Sequence, residues 1–260
     1  MTNHYGPLAS EFYQITKPIG DYYPDIEYYL HHLVANGAQK KKGRILEAAV
    51  GTGRLLIPLL QAGIKIEGVD SSQEMLSYCA QNARQAKVKS TLHCQDLRKL
   101  KLTGEAFNAI ILSFGSFQIF SDLQEAKHVL KNFHNHLANG GKLYIDLDIP
   151  KLELDRAGLK VHGTIVDCAD GSQILIEGSK TYNVVGQTEH IFMRYERWKK
   201  QKLQSTEIQQ LSLRWYGVYE FQALLKETGF GDIQVCVDYN DEVIEPCDSN
   251  DTLCFIASKE

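Results

Sequence analysis

The sequence feature that most constrains the fold is a regular alternation of short apolar runs with helical periodicities between residues 44 and 147. Parallel strands need a long crossover between them, and a helix that covers the sheet is the usual crossover. The alternation therefore predicts an α/β domain with a Rossmann-like, doubly wound sheet. The predicted strands are 44–48, 65–69, 89–94, 107–113 and 142–147, the predicted helices are 55–62, 73–85 and 123–137, and a turn is predicted at Asn139-Gly140-Gly141.

The segments on either side of this alternation have different patterns. Residues 25–35 carry apolar side chains at helical spacing and predict a leading helix, whereas residues 159–216 alternate with period two and predict antiparallel strands inserted beside the core. A helix at 218–228 and closing strands at 233–239 and 253–258 complete a mostly parallel, seven-stranded sheet with an antiparallel β lid. We expect one domain with an N-terminal aromatic and helical segment (1–43), a cofactor-binding core (44–158), the inserted strands (159–216) and the closing elements (217–260).

Charge and cysteine usage narrow the class of partner. The net charge is -4 and the isoelectric point is near 6.1, so no global basic field attracts nucleic acid or an anionic bilayer. The six cysteines show no CxxC spacing and the first residues lack a signal-peptide pattern, so we expect a cytoplasmic protein. No apolar run approaches the roughly 20 residues of a membrane helix, and no histidine or cysteine cluster has metal-ligand spacing. We expect a small-molecule partner, with no nucleic acid, membrane or metal, and a homodimer is the assembly to test.

The stretch EAAVGTGR, from Glu47 to Arg54, comes directly after the first predicted strand and resembles a ligand-binding turn. A nucleoside-triphosphate loop would require GxxxxGK[ST], but Gly53 is followed by Arg54. A dinucleotide loop would require a third small residue where Leu56 stands, and a carboxylate at Glu47 matches a dianionic pyrophosphate poorly. Both phosphate-binding interpretations are therefore weakened.

S-adenosyl-L-methionine matches this turn better, because it carries an ammonium, a sulfonium and a carboxylate but no phosphate. Glu47 can accept from the ammonium, and Gly51 and Gly53 let the backbone approach closely. Asp70 ends the second strand at the spacing typical of a ribose-binding acid, and Asp96 comes after the third strand, where it can accept from the adenine amino group. Taken singly, the glycines also fit an ordinary turn, Asp70 a helix cap or a nicotinamide cofactor, and Asp96 a solvated loop.

The ordered stretches ILEAAVGTGRLLIPLL, GVDSSQEML, CQDLRKL, FNAIILSFGSF, LANGGKLYIDL and RWYGVYEFQALLKETGF resemble those of class I S-adenosylmethionine-dependent methyltransferases. The likeness is to the small-molecule type, similar to glycine and amino-sugar N-methyltransferases, and it implies S-adenosyl-L-homocysteine as the product. Ala49 stands where many members have glycine, and Asn108 where an aspartate is common. The resemblance implies that the cofactor is bound by Tyr13, Tyr22, Glu47, Ala49, Gly51, Thr52, Gly53, Arg54, Asp70, Ser71, Met75, Asp96, Leu97, Ser113 and Phe114.

The loop after the fourth strand constrains the acceptor. The segment from Ser113 to Ser116 lacks the Asn/Asp-Pro-Pro-Tyr motif of nucleobase amine methyltransferases, and the Pro246-Cys247 pair lies far from the position of a cytosine-methylating nucleophile. Similar insertions in the family form lids over small acceptors, so we expect methyl transfer to a small amine by direct in-line displacement. The alternative from another class is a non-catalytic S-adenosylmethionine-binding sensor or scaffold.

Candidate catalytic residues come from the aromatic N-terminus, the loop after the fourth strand and the inserted strands. They are Tyr13, Ser116, Arg194 and Tyr216. Arg194 and Arg214 are candidates to bind an acceptor carboxylate or hydroxyl, although they fit equally well as partners of nearby glutamates. A protonated amine would have to lose its proton first, and the histidines that the sequence offers for this step are His4, His31, His32, His162 and His190.

Overall fold

The computed structural model describes residues 5–35, 43–151, 159–242 and 251–260. These residues form a seven-stranded sheet, a separate four-stranded sheet and six α-helices. The strands are β1 (Arg44–Ala48), β2 (Ile66–Asp70), β3 (Leu92–Cys94), β4 (Phe107–Leu112), β5 (Leu137–Asp148), β6 (Leu159–Asp167), β7 (Gln173–Asn183), β8 (Thr188–Lys199), β9 (Lys202–Arg214), β10 (Phe230–Val237) and β11 (Thr252–Lys259). The helices are α1 (Pro7–Thr16), α2 (Pro24–Ala35), α3 (Leu56–Gln61), α4 (Gln73–Gln85), α5 (Leu123–His136) and α6 (Val218–Glu227).

The larger sheet has the strand order β10-β11-β5-β4-β1-β2-β3. Strands β1 to β5 pair in parallel, whereas β11 is antiparallel to both of its neighbours, β5 and β10. The chain order reverses between β1 and β4, and ligands of open α/β sheets bind at the carboxyl ends of the strands beside such a reversal. The predicted mostly parallel, doubly wound sheet is confirmed, and so is the antiparallel insertion, in which β6 to β9 pair consecutively.

The sheet is covered on both faces, which explains why its central strands are apolar throughout. Leu46 of β1 belongs to the core shared with α5 and α6, and the adjacent Ile45 belongs to the core shared with α2 and α3. Successive side chains of a strand point to opposite faces, so a strand buried on both sides is a continuous apolar run. This packing fixes the register of β1 and therefore the position of the turn after it.

Helix α1 joins the four-stranded sheet to the larger one. The amides of Leu8 and Ala9 donate to the Glu207 carboxylate of β9, at 2.8 and 3.2 Å, which satisfies donors that a helix N-terminus leaves free. Near the other end of α1, the Gln14 side chain exchanges hydrogen bonds with Asn82 of α4, at 3.0 and 2.9 Å. The helix therefore spans the gap between the insertion and the sheet core.

The predicted turn at residues 139–141 is wrong. Strand β5 begins at Leu137 and runs through these residues, because pairing with β4 shifts from Phe107 opposite Leu137 to Ala109 opposite Lys142. The Asn-Gly-Gly stretch therefore forms a bulge within β5, and Gly140 in this bulge has a φ of 73°. The division into 1–43, 44–158, 159–216 and 217–260 stays a prediction, and no helix in the described ranges is long and apolar enough to cross a membrane.

Candidate functional site

A cavity of about 650 Å³ opens at the carboxyl ends of β1, β2, β3 and β4, beside the reversal in chain order. Its floor is formed by the turns that connect these strands to their helices, and its roof by the N-terminal segment together with β8 and β9. The lining includes Tyr5, Tyr13, Ala49, Gly51, Asp70, Ser71, Met75, Asp96, Leu97, Phe114, Gly115, Ser116, Asp148, His190, Leu211, Ser212 and Leu213.

The turn after β1 has a bare backbone and a buried carboxylate behind it. Gly51 has a φ of 54°, and a Cβ built on it would point into open space, so the backbone itself faces the cavity. Glu47 is only 3% exposed, and its Oε2 has no hydrogen-bond partner among the described residues. Burial raises the pKa of Glu47 well above its usual range, against the lowering effect of Arg54. An unpartnered buried acceptor of this kind is matched by a cationic ligand.

Asp70 organises the second turn of the floor. One carboxylate oxygen accepts from the amide of Gly51 and the other from the amide of Ser72, both at 2.9 Å. The helix α4 is capped by Ser72, whose hydroxyl accepts from the amide of Met75 at 3.2 Å. Asp70 is therefore not the cap of α4, and it joins the two turns on the cavity floor.

Asp96 stands at the far end of the floor, where it caps a short 3-10 helix, Leu97–Lys99. Its carboxylate accepts from the amide of Arg98 at 2.9 Å and pairs with the guanidinium of that residue at 2.7 Å. The Arg98 side chain lowers the pKa of Asp96, so this carboxylate stays ionised. Met75 and Leu97 add buried apolar surface to the lining nearby.

Arg54 is held beside the cavity rather than in its wall. Its guanidinium makes two hydrogen bonds to the Asp25 carboxylate of α2, at 2.9 and 2.5 Å, and both side chains are buried. The same guanidinium lies 4.6 Å from the ring centroids of Tyr23 and Phe114. Burial raises the pKa of the phenol of Tyr13, which lines the cavity, and the nearby charge of Arg54 opposes this shift.

The loop after β4 carries two successive residues in left-handed conformation, Phe114 at a φ of 61° and Gly115 at 63°. The Gly115 amide donates to Oδ1 of Asp146 at 2.8 Å, and the Ser116 hydroxyl donates to the carbonyl of Ser113 at 2.7 Å. Phe114 and Ser116 consequently line the cavity, whereas the buried Ser113 lies behind the lining.

The roof brings together polar groups from distant parts of the chain. His190 of β8 pairs through Nδ1 with the Ser212 hydroxyl of β9 at 3.1 Å, and both side chains line the cavity. Asp148, at the end of β5, faces the same space, with Oδ2 so close to Gly115 that a Cβ there would lie 2.6 Å away. The described residues provide no hydrogen-bond donor to the Asp148 carboxylate.

Among the described residues, no group of histidines, cysteines and acids has the geometry of a metal site.

Several predicted site residues lie away from the cavity. Tyr22 is 72% exposed, and Arg194 pairs with Glu177 at 2.8 Å and with Glu196 at 3.1 Å. Tyr216 is buried among phenylalanine rings, with a hydroxyl that has no described partner, and Arg214 pairs with Glu220 at 2.9 Å. Thr52 and Gly53 lie within the turn after β1 but behind its lining. His4, Cys247 and the side chain of His162 lie outside the described residues.

The sequence patterns did not point to Asp148 or the Leu211–Leu213 segment as cavity residues, whereas Tyr5 was one of four candidate N-terminal tyrosines and His190 one of five histidines. A signal existed for the leucines, since Leu211 and Leu213 alternate with Ser212 on β9. The role of Asp25 was also missed, because an acid in the first turn of a predicted helix is already explained by the helix terminus and indicates no further contact.

Comparisons with known proteins agree with this architecture. Residues 45–141 match the family described as a methyltransferase domain. The glycine/sarcosine N-methyltransferase of Aphanothece halophytica is 27% identical over 90% of this chain and 81% of its own length. A solved S-adenosylmethionine-dependent methyltransferase from Clostridium acetobutylicum superposes with a TM-score of 0.76 at 19% identity, covering 96% of each chain. The sugar N-methyltransferase KedS8 from Streptoalloteichus has a TM-score of 0.73 at 19% identity, covering 100% of this chain and 96% of its own.

Proposed function

Since this chain is a class I S-adenosylmethionine-dependent methyltransferase, we propose that it transfers the methyl group to the nitrogen of a small amine. The observation that carries the proposal is the division of one cavity into two ends of different chemistry. One end has the bare turn after β1 with the buried Glu47 behind it, and the other has the Asp148 carboxylate under the roof residue His190. The cofactor supplies an electrophilic methyl group on a good leaving group.

The residues of the first end fit the cofactor. The unpartnered Oε2 of Glu47 would accept from the ammonium, and the open backbone of Gly51 would admit the methionine portion. Asp70 would accept from the ribose hydroxyls while keeping its bonds to the turn, since a carboxylate has more acceptor sites than the two that the amides use. Asp96 would accept from the adenine amino group, and Met75 would cover the adenosine.

The second end fits an amine. Burial raises the pKa of the Asp148 carboxyl, and Asp251 and Glu189 raise it further, while Lys17 and Lys180 lower it. A cationic amine beside this group would favour its ionised form and would itself be attracted. In-line attack requires the free lone pair, so the ammonium must lose its proton before transfer, and the imidazole of His190, which lines the same cavity, would accept it.

The names of the relatives support an amine acceptor. They describe a glycine/sarcosine N-methyltransferase and a sugar N-methyltransferase, both of which alkylate nitrogen. The chain's own contribution to the rate would be to align the donor and acceptor and to keep water out of the cavity, since the donor is already activated.

Two measurements test the proposal. Isothermal titration with S-adenosylmethionine and S-adenosylhomocysteine should give saturable binding, and Glu47→Gln should weaken it by about tenfold or more, the scale of a charge-assisted hydrogen bond. Glu67→Gln is the matched control, because Glu67 pairs with Arg44 and His93 away from the cavity. No binding of either compound at millimolar concentrations would refute the cofactor assignment.

Methyl transfer is then measured by mass spectrometry on a panel of amino acids, amino sugars and phenols. We expect methylation of a small amine and a strong loss of rate in Asp148→Asn. Methylation confined to phenols would contradict the amine assignment. Tight cofactor binding without turnover on any acceptor, together with a stable protein partner, would instead support a sensor or scaffold.

A further inference from the structure

Asp146 of β5 is a fully buried carboxylate that does not line the cavity. Its Oδ1 accepts from the amide of Gly115 at 2.8 Å, and its Oδ2 accepts from the hydroxyl of Tyr29 at 2.6 Å. Burying an ionisable group is costly unless it is hydrogen-bonded, and here both oxygens have donors. Neither cofactor binding nor proton removal uses this group, although one of its donors is in the loop that lines the acceptor end.

Tyr29 belongs to helix α2, and a second residue of this helix, Asp25, is also linked to that loop. Asp25 precedes Tyr29 by four residues, so both side chains lie on one face of the helix. Asp25 holds the Arg54 guanidinium, which in turn lies 4.6 Å from the ring centroid of Phe114. Two successive loop residues are therefore contacted from α2, Phe114 through Arg54 and Gly115 through Asp146.

The loop conformation requires such support. Phe114 is an L residue held at a φ of 61°, which costs on the order of 1 to 2 kcal/mol and persists only where the surroundings impose it. Gly115 comes next at 63° and has no side chain of its own to anchor it. The conformation sets the position of the Phe114 ring and the Ser116 hydroxyl in the cavity wall.

We propose that Asp146 is a positioning residue for methyl transfer, which together with Tyr29 fixes the backbone of Gly115 and thereby the wall against which the acceptor rests. This inference rests on the proposed function for the location of the acceptor. It assigns α2, a helix that precedes the first strand of the sheet, a role in acceptor use that is separate from cofactor binding.

The test uses Tyr29→Phe, which removes one hydroxyl without changing the shape of the ring. We expect kcat/KM for the amine to fall roughly tenfold, the scale of one hydrogen bond to a charged group, while the dissociation constant for S-adenosylhomocysteine stays within about twofold. Tyr28→Phe is the matched control: Tyr28 is the preceding residue on the same helix and is also buried, but its hydroxyl contacts Sγ of Cys236 at 3.3 Å. This control should retain the activity of the unmodified protein.

Hydrogen exchange of the peptide spanning residues 113–118 gives a second readout that does not depend on turnover. Tyr29→Phe should speed exchange at the Gly115 amide and leave the remaining peptides unchanged, whereas a general loss of stability would speed exchange everywhere. Asp146→Ala should show the same local effect more strongly, and Asp146→Asn should recover much of it, because the amide oxygen can still accept from Gly115.

Unchanged acceptor kinetics and unchanged exchange in Tyr29→Phe would overturn the inference, as would an equal loss in Tyr28→Phe or a parallel loss of cofactor affinity. Failure of the proposed function has a different signature, namely unmodified protein that binds the cofactor but methylates no amine. The kinetic arm uses the amine identified in the panel, so the two failures are distinguished by the activity of the unmodified protein.

Discussion

Replacing Asp25 with alanine is expected to destabilise the protein by about 3 kcal/mol. Asp25 and Arg54 have side chains that are 3% and 5% exposed, and two hydrogen bonds of 2.9 and 2.5 Å join them. Removing one partner of such a pair costs roughly 3 to 5 kcal/mol, because the other charge stays buried without compensation. Glu47 is a second acid close to Arg54, and without Asp25 it can ionise beside the guanidinium, which offsets part of the loss and favours the lower end of the range.

The assay is urea unfolding, with the free energy extrapolated linearly and the slope compared between variants. A loss of about 3 kcal/mol corresponds to a fall of about 6 to 12 °C in melting temperature for a protein of this size. Glu227→Ala is the control, since Glu227 pairs with Lys127 at 2.7 Å but is 58% exposed, and an exposed pair contributes about 1 kcal/mol or less.

A double variant separates the cost of the unpaired charge from the loss of packing. Combining Asp25→Ala with Arg54→Met removes both charges, and we expect it to be more stable than Asp25→Ala alone. The reasoning fails if Asp25→Ala costs less than about 1 kcal/mol, or if the double variant is less stable than either single variant, since either result would mean that the buried charges do not compensate one another.

Three further outcomes are expected from the same structure. Burial raises the pKa of Glu47 in the free protein, and a cofactor ammonium would favour its ionised form. Cofactor binding should therefore release a proton and become tighter as the pH rises above 4.5. Calorimetric titration in two buffers of different ionisation enthalpy checks this, and equal binding heats in both would count against it. Gly53→Ala should cost about 2 kcal/mol of stability, because φ is 86° and the new Cβ would lie 2.7 Å from Sγ of Cys79, and a melting temperature like that of the unmodified protein would show that the turn adapts. Burial raises the pKa of Asp146 from 3.8 to about 7, so its protonated form stabilises the folded state below pH 3.8 and this contribution is lost by about pH 7. Between these values the free energy of unfolding should fall with pH by at most about 1.4 kcal/mol per pH unit. This pH dependence should be absent from the denaturation of Asp146→Asn.

Helices and strands that are determined by residues adjacent in the chain were predictable from the sequence. The helix at 73–85 agrees with α4, whose apolar periodicity and Ser72 cap are both contained in adjacent residues. Helix α1 was not predicted, because its N-terminal amides are satisfied by Glu207, about 200 residues later in the chain. The Asn-Gly-Gly stretch predicted a turn, but pairing with β4 outweighed this local preference and produced a bulge in β5.

The residues at the two ends of the cavity also differ in how far their positions could be predicted from the sequence. Glu47, Asp70 and Asp96 lie at or just after the ends of successive strands, and parallel strands bring their carboxyl ends to one edge, so their neighbourhood was predictable from spacing. Arg194 and His190 lie on the same strand, β8, four residues apart, which separates them by about 13 Å. Only the part of β8 at His190 lines the cavity, and that depends on how α1 holds the four-stranded sheet over the core. A sequence pattern gives the face of a strand but not which part of it meets another layer.

The distribution of these residues along the chain explains why a domain match identifies the donor more readily than the acceptor. The match covers residues 45–141, which contain Glu47, Asp70 and Asp96, the acids that we propose for cofactor binding. Asp148 and His190, which we propose for the acceptor end, lie beyond it, and so do Tyr13 and Tyr29, which hydrogen-bonds to Asp146. A methyltransferase core can therefore keep its cofactor while the flanking segments change the walls that the acceptor meets. On this reasoning, exchanges of side chains at Asp148 and His190 should alter acceptor preference with little effect on cofactor affinity, whereas exchanges at Asp70 should do the reverse.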